Sequence, residues 1–124
     1  MDKNVLVLAY LGDSIYETYI RLYLIEKGIC KVKELQEKSI KYVSAKAQSS
    51  FLKQIIDNNM LNIDELDIVT KARNHKNNHK PKNTDIITYK HATALEALIG
   101  YLYYKNDYEK IKQIMDYITG GKIC

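Results

Sequence analysis

With 124 residues, 27% of them charged and 46% hydrophobic, the chain has the makeup of one folded domain with its own core, and not of a disordered segment. Its longest apolar run, residues 5–11, is too short to span a membrane and leads into Asp13 and Glu17 instead of a small-residue cleavage site. A transmembrane or secreted chain is therefore not expected. Cys30 and Cys124 offer neither a disulfide framework nor a metal-ligand spacing, so the expected compartment is a reducing cytoplasm. The net charge of +4 is concentrated: between positions 71 and 90, six basic residues stand against the single acid Asp85, the footprint of a phosphate-backbone binder.

The first predicted helix covers residues 5–26 and stops at Gly28, with Leu8, Leu11, Ile15, Ile20, Leu22 and Leu24 around enough of its circumference to make it central. Residues 32–42 predict an amphipathic second helix, with Leu35 and Ile40 inward. Ser44 is placed to cap a third, residues 45–58, whose apolar face carries Ala47, Phe51, Leu52, Ile55 and Ile56. Asn62 or Asp64 caps a fourth, through Leu66, Ile68, Val69 and Ala72, with Lys71 and Arg73 at the negative end of its dipole. A polar, basic loop with the only proline, Pro81, fills residues 74–85. Helices over 89–105 and 108–118 complete an all-α chain, ended by Gly120 and Gly121, with no alternating strand pattern and no repeat.

Two acids stand out because they sit in apolar helical surroundings, where an unpartnered carboxylate costs several kcal/mol. Asp13 adjoins Gly12 within a stripe of Ala9, Gly12 and Tyr16; Glu96 lies between Ala92 and Gly100, with Thr93 alongside. Stripes of small residues let two helices cross closely, which would bring both acids to one ion. Mg²⁺ fits such a pair, since it takes oxygen ligands, needs few carboxylates and keeps its waters, and it activates a water toward a phosphodiester. The competing expectation is that each acid pairs with a nearby lysine or lies at a wet helix boundary.

The string LGDSIYETYI resembles the signature of the ribonuclease III family, whose Asp, here Asp13, ligates the metal; HATALEALIGYLY resembles its second motif, whose ligating Glu is Glu96. VSAKAQ (43–48) and RNHKNNHKPKNTDIITYKHAT (73–93) are similar to its short bacterial subgroup, mini-ribonuclease III, and the four motifs follow in order along nearly the whole chain. The resemblance implies a helical endonuclease domain without an appended double-stranded-RNA-binding domain. It also implies a Mg²⁺-dependent homodimer that cuts double-stranded RNA to 5′-phosphate and 3′-hydroxyl ends. Maturation of large-subunit (23S) ribosomal RNA is the implied role, with a ribosomal protein or assembling subunit as a further partner. The larger family usually has acids four residues before the signature Asp and three before the second Glu; here those positions are Ala9 and Thr93, which points to weak metal binding.

Tyr10 matches the family's aromatic that packs into the partner subunit, against the plainer expectation of a core tyrosine. RNA contacts are expected from Lys46 and Gln48 near a helix start, and from Arg73, Asn74, Lys80, Lys82, Asn83, Thr84, Lys90 and His91 in and after the basic loop. His75, His79 and His91 lack a His-Asp dipeptide and a second ligand cluster, which argues against zinc. A non-catalytic RNA-binding or assembly module on the same scaffold is the alternative function, although a binder needs neither Asp13 nor Glu96.

Overall fold

The computed structural model describes residues 4–75 and 85–120. Six helices follow one another: α1 (Val5–Glu26), α2 (Val32–Val43), α3 (Ala45–Asp57), α4 (Ile63–Arg73), α5 (Ile86–Tyr104) and α6 (Tyr108–Ile118). Among the described residues there is no strand, and no helix is long and apolar enough to cross a membrane.

Polar side chains just outside the helices set their starts by accepting the orphan amides of the first turn. Asn4 accepts from Leu6 N at 2.7 Å, Ser44 from Ala47 N at 3.2 Å, Asp85 from Thr88 N at 2.8 Å and Asp107 from Lys110 N at 3.2 Å. Asn62, one of the two expected caps of α4, forms a reciprocal capping box with Glu65. Asp85 starts α5 at Ile86, three residues before the predicted position 89. The apolar pair Ile86–Ile87 gave no periodic cue there, because both side chains are exposed.

The central helix is α5, not α1. Ala94, Leu95, Ala97, Leu98, Ile99 and Leu102 are all fully buried, with α1, α3 and α4 packed around them and α6 against its C-terminal part. One side of α1 is open: Val7, Tyr10, Leu22 and Ile25 are exposed, and Leu22, counted among its apolar circumference, is 53% exposed. On α2, Leu35, Tyr42 and Val43 pack against the core, whereas Ile40, expected inward, is 61% exposed. Among the described residues, the one charged side chain sealed in the interior is Glu65, 1% exposed. It is held by the Asn62 amide at 2.9 Å, while Lys110 stands 3.4 Å away and also donates to the Met60 carbonyl.

What positions the site is the crossing of α1 over α5. A Cβ on Gly12 would lie 2.7 Å from the carbonyl carbon of Glu96, and one on Gly100 would lie 2.7 Å from that of Leu8. The backbones therefore touch where both helices lack side chains, as the small-residue stripes predict.

Candidate active site

This crossing brings the two acids of the sequence together. Asp13 follows Gly12 and points out of the contact; it is exposed, contrary to the expectation that its carboxylate is buried. The turn of the helix explains the difference, because Gly12, and not Asp13, is the residue facing α5. Glu96 is the recessed partner. Its carboxyl is pushed up to about 8, first by burial and then by Asp13, through charge and hydrogen bonding, with Glu17 adding a smaller charge effect. Neither Asp13 nor Glu96 forms an ion pair with Lys or Arg among the described residues.

Gln48 corrects a second expectation. It is only 3% exposed and so is not placed on an RNA-facing surface; its side-chain amide donates to Glu96 at a long 3.4 Å. That contact favours the charged carboxylate and partly opposes the effect of burial. The signal was present in the periodicity: Gln48, Leu52 and Ile55 fall at i, i+4 and i+7, and all three are buried. Below Glu96 lies Tyr16, fully buried, whose phenol donates to the Tyr42 carbonyl at 2.6 Å and whose ionisation is suppressed by burial and then by the Glu96 charge. On the outer side, Glu17 pairs with Arg21 at 2.7 Å, and both line a depression with Asp13, Ser14 and Thr18.

A separate groove of about 580 Å³ is formed by α3, α4 and the start of α5. Lys46, Arg73, Thr88, Ser49 and His91 are among its lining residues, with Asp57 as its one acid. His91 Nδ1 is 3.5 Å from Ser49 Oγ, and its imidazole is held below its ordinary value by burial and by Arg73, so it is mainly neutral near pH 7. Asn74 is exposed as the C-cap of α4, and Lys90 is half-buried on the first turns of α5. Lys80, Lys82, Asn83 and Thr84 lie outside the described residues. Tyr10 is 83% exposed, so it is not a core tyrosine.

A close-crossed pair of helices that brings two carboxylates together, with no Lys or Arg paired to either among the described residues, can hold a divalent cation. The ribonuclease III domain family matches residues 6–107, and the chain belongs to that family, as an endoribonuclease. It is 46% identical over 112 residues to the mini-ribonuclease 3 of Brevibacillus brevis, covering 90% of this chain and 82% of that one. With the mini-ribonuclease 3 of Staphylococcus aureus it shares 38% identity over 115 residues, 93% of this chain and 86% of the relative. A crystal structure of a Fusobacterium nucleatum protein superposes with a TM-score of 0.85 at 37% identity, covering 97% of this chain and 94% of that one.

Proposed function

We propose that the chain is a Mg²⁺-dependent endoribonuclease that cuts double-stranded RNA to 5′-phosphate and 3′-hydroxyl ends, in the cytoplasm, during maturation of 23S ribosomal RNA. The observation that carries this reading is the Asp13–Glu96 pair, two neighbouring acids with no ion-paired Lys or Arg among the described residues. Glu96 resists ionisation first because it is buried and then because Asp13 stands beside it, and a divalent cation is the partner that would favour both carboxylates in charged form. With two carboxylates and open access at Asp13, the site suits a cation that keeps most of its water, which is the habit of Mg²⁺. When bound, the cation supplies an acidified water and offsets the charge that develops on the phosphodiester.

The chain's own residues do the rest. Asp13 and Glu96 hold the cation, and Gln48 fixes the orientation of Glu96 from the interior. Lys46 and Arg73 offer charge to phosphates, while His91 and Thr88 offer hydrogen bonds. A-form RNA hides its base edges in a deep groove, so these contacts read backbone and 2′-hydroxyls and not sequence. An assembling ribosomal subunit or a ribosomal protein is the partner this role implies. The deciding experiment is cleavage of end-labelled duplex RNA with Mg²⁺ and with EDTA, with the fragment ends mapped. Metal-dependent cuts bearing 5′-phosphates are expected. A duplex that is bound and never cut would leave the chain as an assembly module.

Two further outcomes belong to this reading. Gln48→Leu keeps the interior filled but removes the donor to Glu96. Partners behind a metal ligand are worth about 10–100-fold in metal affinity, so activity should need correspondingly more Mg²⁺ while maximal activity is largely retained. A metal titration checks it, and an unchanged midpoint would separate Gln48 from the site. The exposed α1 face with Val7 and Tyr10 is the surface we assign to the homodimer; Tyr10→Ala should weaken the dimer by about 2 kcal/mol or more if it is an anchor. Sedimentation across concentrations would show this, and a wild-type monomer at micromolar concentration would overturn it.

A further inference from the structure

A second basic site lies away from the acids, where the end of α1 meets α2. Between positions 27 and 42, five lysines stand against two glutamates. Lys27, Lys38 and Lys41 line a pocket of about 300 Å³ with Tyr23, Tyr42, Leu24 and Ile29, and no acid is among its lining residues.

These lysines differ from four other cations of the fold. Arg21, Lys53, Lys71 and Lys112 each pair with an acid one turn away. Lys38 and Lys41 have Glu34 and Glu37 one turn before them, the favourable order for a helical ion pair, yet neither pairs with an acid among the described residues. Lys27 donates to the Tyr23 phenol at 3.2 Å and lies 5.2 Å from the centre of that ring. Tyr23 meets Tyr42 edge to face at 5.9 Å, and Tyr42 stacks on Phe51 at 6.2 Å, so the aromatic wall is anchored in the fold. Three cations with no acid partner among the described residues, set around two half-buried aromatic rings, form a surface that a phosphate backbone fits.

The pocket also lies on the correct flank. Lys27 follows Asp13 by fourteen residues, about 21 Å along α1 and only about 40° around its axis. At the ~3.4 Å per nucleotide of a duplex DNA strand, that reach is roughly six phosphates. We propose that Lys27, Lys38 and Lys41, with Tyr23 and Tyr42, form a second anchor for the phosphate backbone of the RNA duplex held at the acids. This rests on the RNA-cleaving reading of the Asp13–Glu96 site. Phosphate contacts fix register without reading bases, so the anchor sets which phosphodiester lies over the acids.

The test is a salt titration of duplex RNA binding in Ca²⁺, on a duplex of roughly 30 base pairs, about twice the span of one double-stranded-RNA-binding domain. Lys38→Gln with Lys41→Gln should flatten the salt slope by roughly two per engaged pocket. Lys38→Arg with Lys41→Arg should keep the slope, and cut-site mapping of the glutamine variant in Mg²⁺ should show a broader set of positions. A wild type that binds and cuts, beside a glutamine variant with unchanged slope and cut sites, would overturn the anchor and leave the RNA reading standing. A wild type that neither binds nor cuts the duplex would overturn both.

Discussion

Glu96→Gln is expected to abolish cleavage and, in the same molecule, to raise the stability of the metal-free protein at neutral and mildly alkaline pH. The first effect follows from removing one of two carboxylates. If the cation supplies several kcal/mol of charge stabilisation, its loss lowers the rate by about 10³-fold or more. Asp13→Asn should do the same to activity. Both substitutions conserve volume, so duplex binding should survive, and cutting and binding are measured on the same preparation. Full activity in either variant would remove that residue from the metal site.

The second effect has a sign fixed by the raised ionisation of Glu96. In the unfolded chain its carboxyl titrates near 4.5, and in the folded chain near 8. Below the lower value both states are protonated, and Glu96 costs the fold nothing. As the pH climbs from 4.5 to 8, unfolding releases a proton, so stability falls steadily; above 8 the loss is complete and constant. Each unit of separation is worth about 1.4 kcal/mol, which makes the total a few kcal/mol. Glutamine does not titrate. Thermal unfolding in EDTA should therefore give similar midpoints for wild type and variant at pH 4.5, and a gap in favour of the variant that widens to pH 8. Mg²⁺ should close that gap by stabilising the wild type alone. A wild type that outlasts the variant at pH 8 in EDTA would mean that burial and Asp13 do not hold Glu96 back from ionising.

The sequence made most of the helices legible because they have strong punctuators, whereas α2 has no side-chain cap and the start of α5 was placed three residues late. Ser44, Asn62 and Gly28 bracket residues whose spacing already follows 3.6 per turn, and α1 and α6 begin and end at the predicted residues. The pairing of Asp13 with Glu96 was legible from the small residues around each, since close approach needs missing side chains on both helices. The burial of Asp13 was misjudged because a helix is not sided by its mean hydropathy: one residue's step of about 100° separates the contact at Gly12 from solvent at Asp13.

Pairwise chemistry across long sequence separations stayed hidden. Glu65 reads as an ordinary first-turn acid, and only the fold shows it sealed beside Lys110, 45 residues later. Gln48 reads as a polar residue near a helix start until α5 places Glu96 against it. Ile40 and Leu22 are apolar at helical spacing yet exposed, since periodicity identifies a face without saying that a neighbour covers it. The helix-boundary lysines near Tyr23 escaped notice for a related reason: in sequence they alternate with glutamates, and only the pocket separates them.

Gly12→Ala should be the most damaging single methyl group that can be added to this chain. Helix propensity favours the change, since alanine inside a helix is about 1 kcal/mol better than glycine. The crossing opposes it more strongly. The added Cβ would stand 2.7 Å from the Glu96 carbonyl carbon and 2.8 Å from the Gly100 amide nitrogen, groups that belong to backbone and cannot rotate away. Relief requires α1 and α5 to separate as rigid bodies, through the best-buried part of the core. Overpacking that side chains can absorb costs about 1–3 kcal/mol, and this exceeds it, against a total stability of about 5–15 kcal/mol. A fall in melting temperature of ten degrees or more, or no soluble protein, is expected. Gly100→Ala, facing the Leu8 carbonyl, should behave alike. Gly28→Ala is the control: its φ of +96° disfavours a side chain by about 1 kcal/mol, but nothing lies within 4 Å of the new methyl. Any Gly12→Ala protein that does fold should cut RNA poorly at every Mg²⁺ concentration, because the shift that admits the methyl draws Asp13 away from Glu96. A Gly12→Ala variant as stable as Gly28→Ala, and fully active, would show that the two helices do not cross in contact at Gly12.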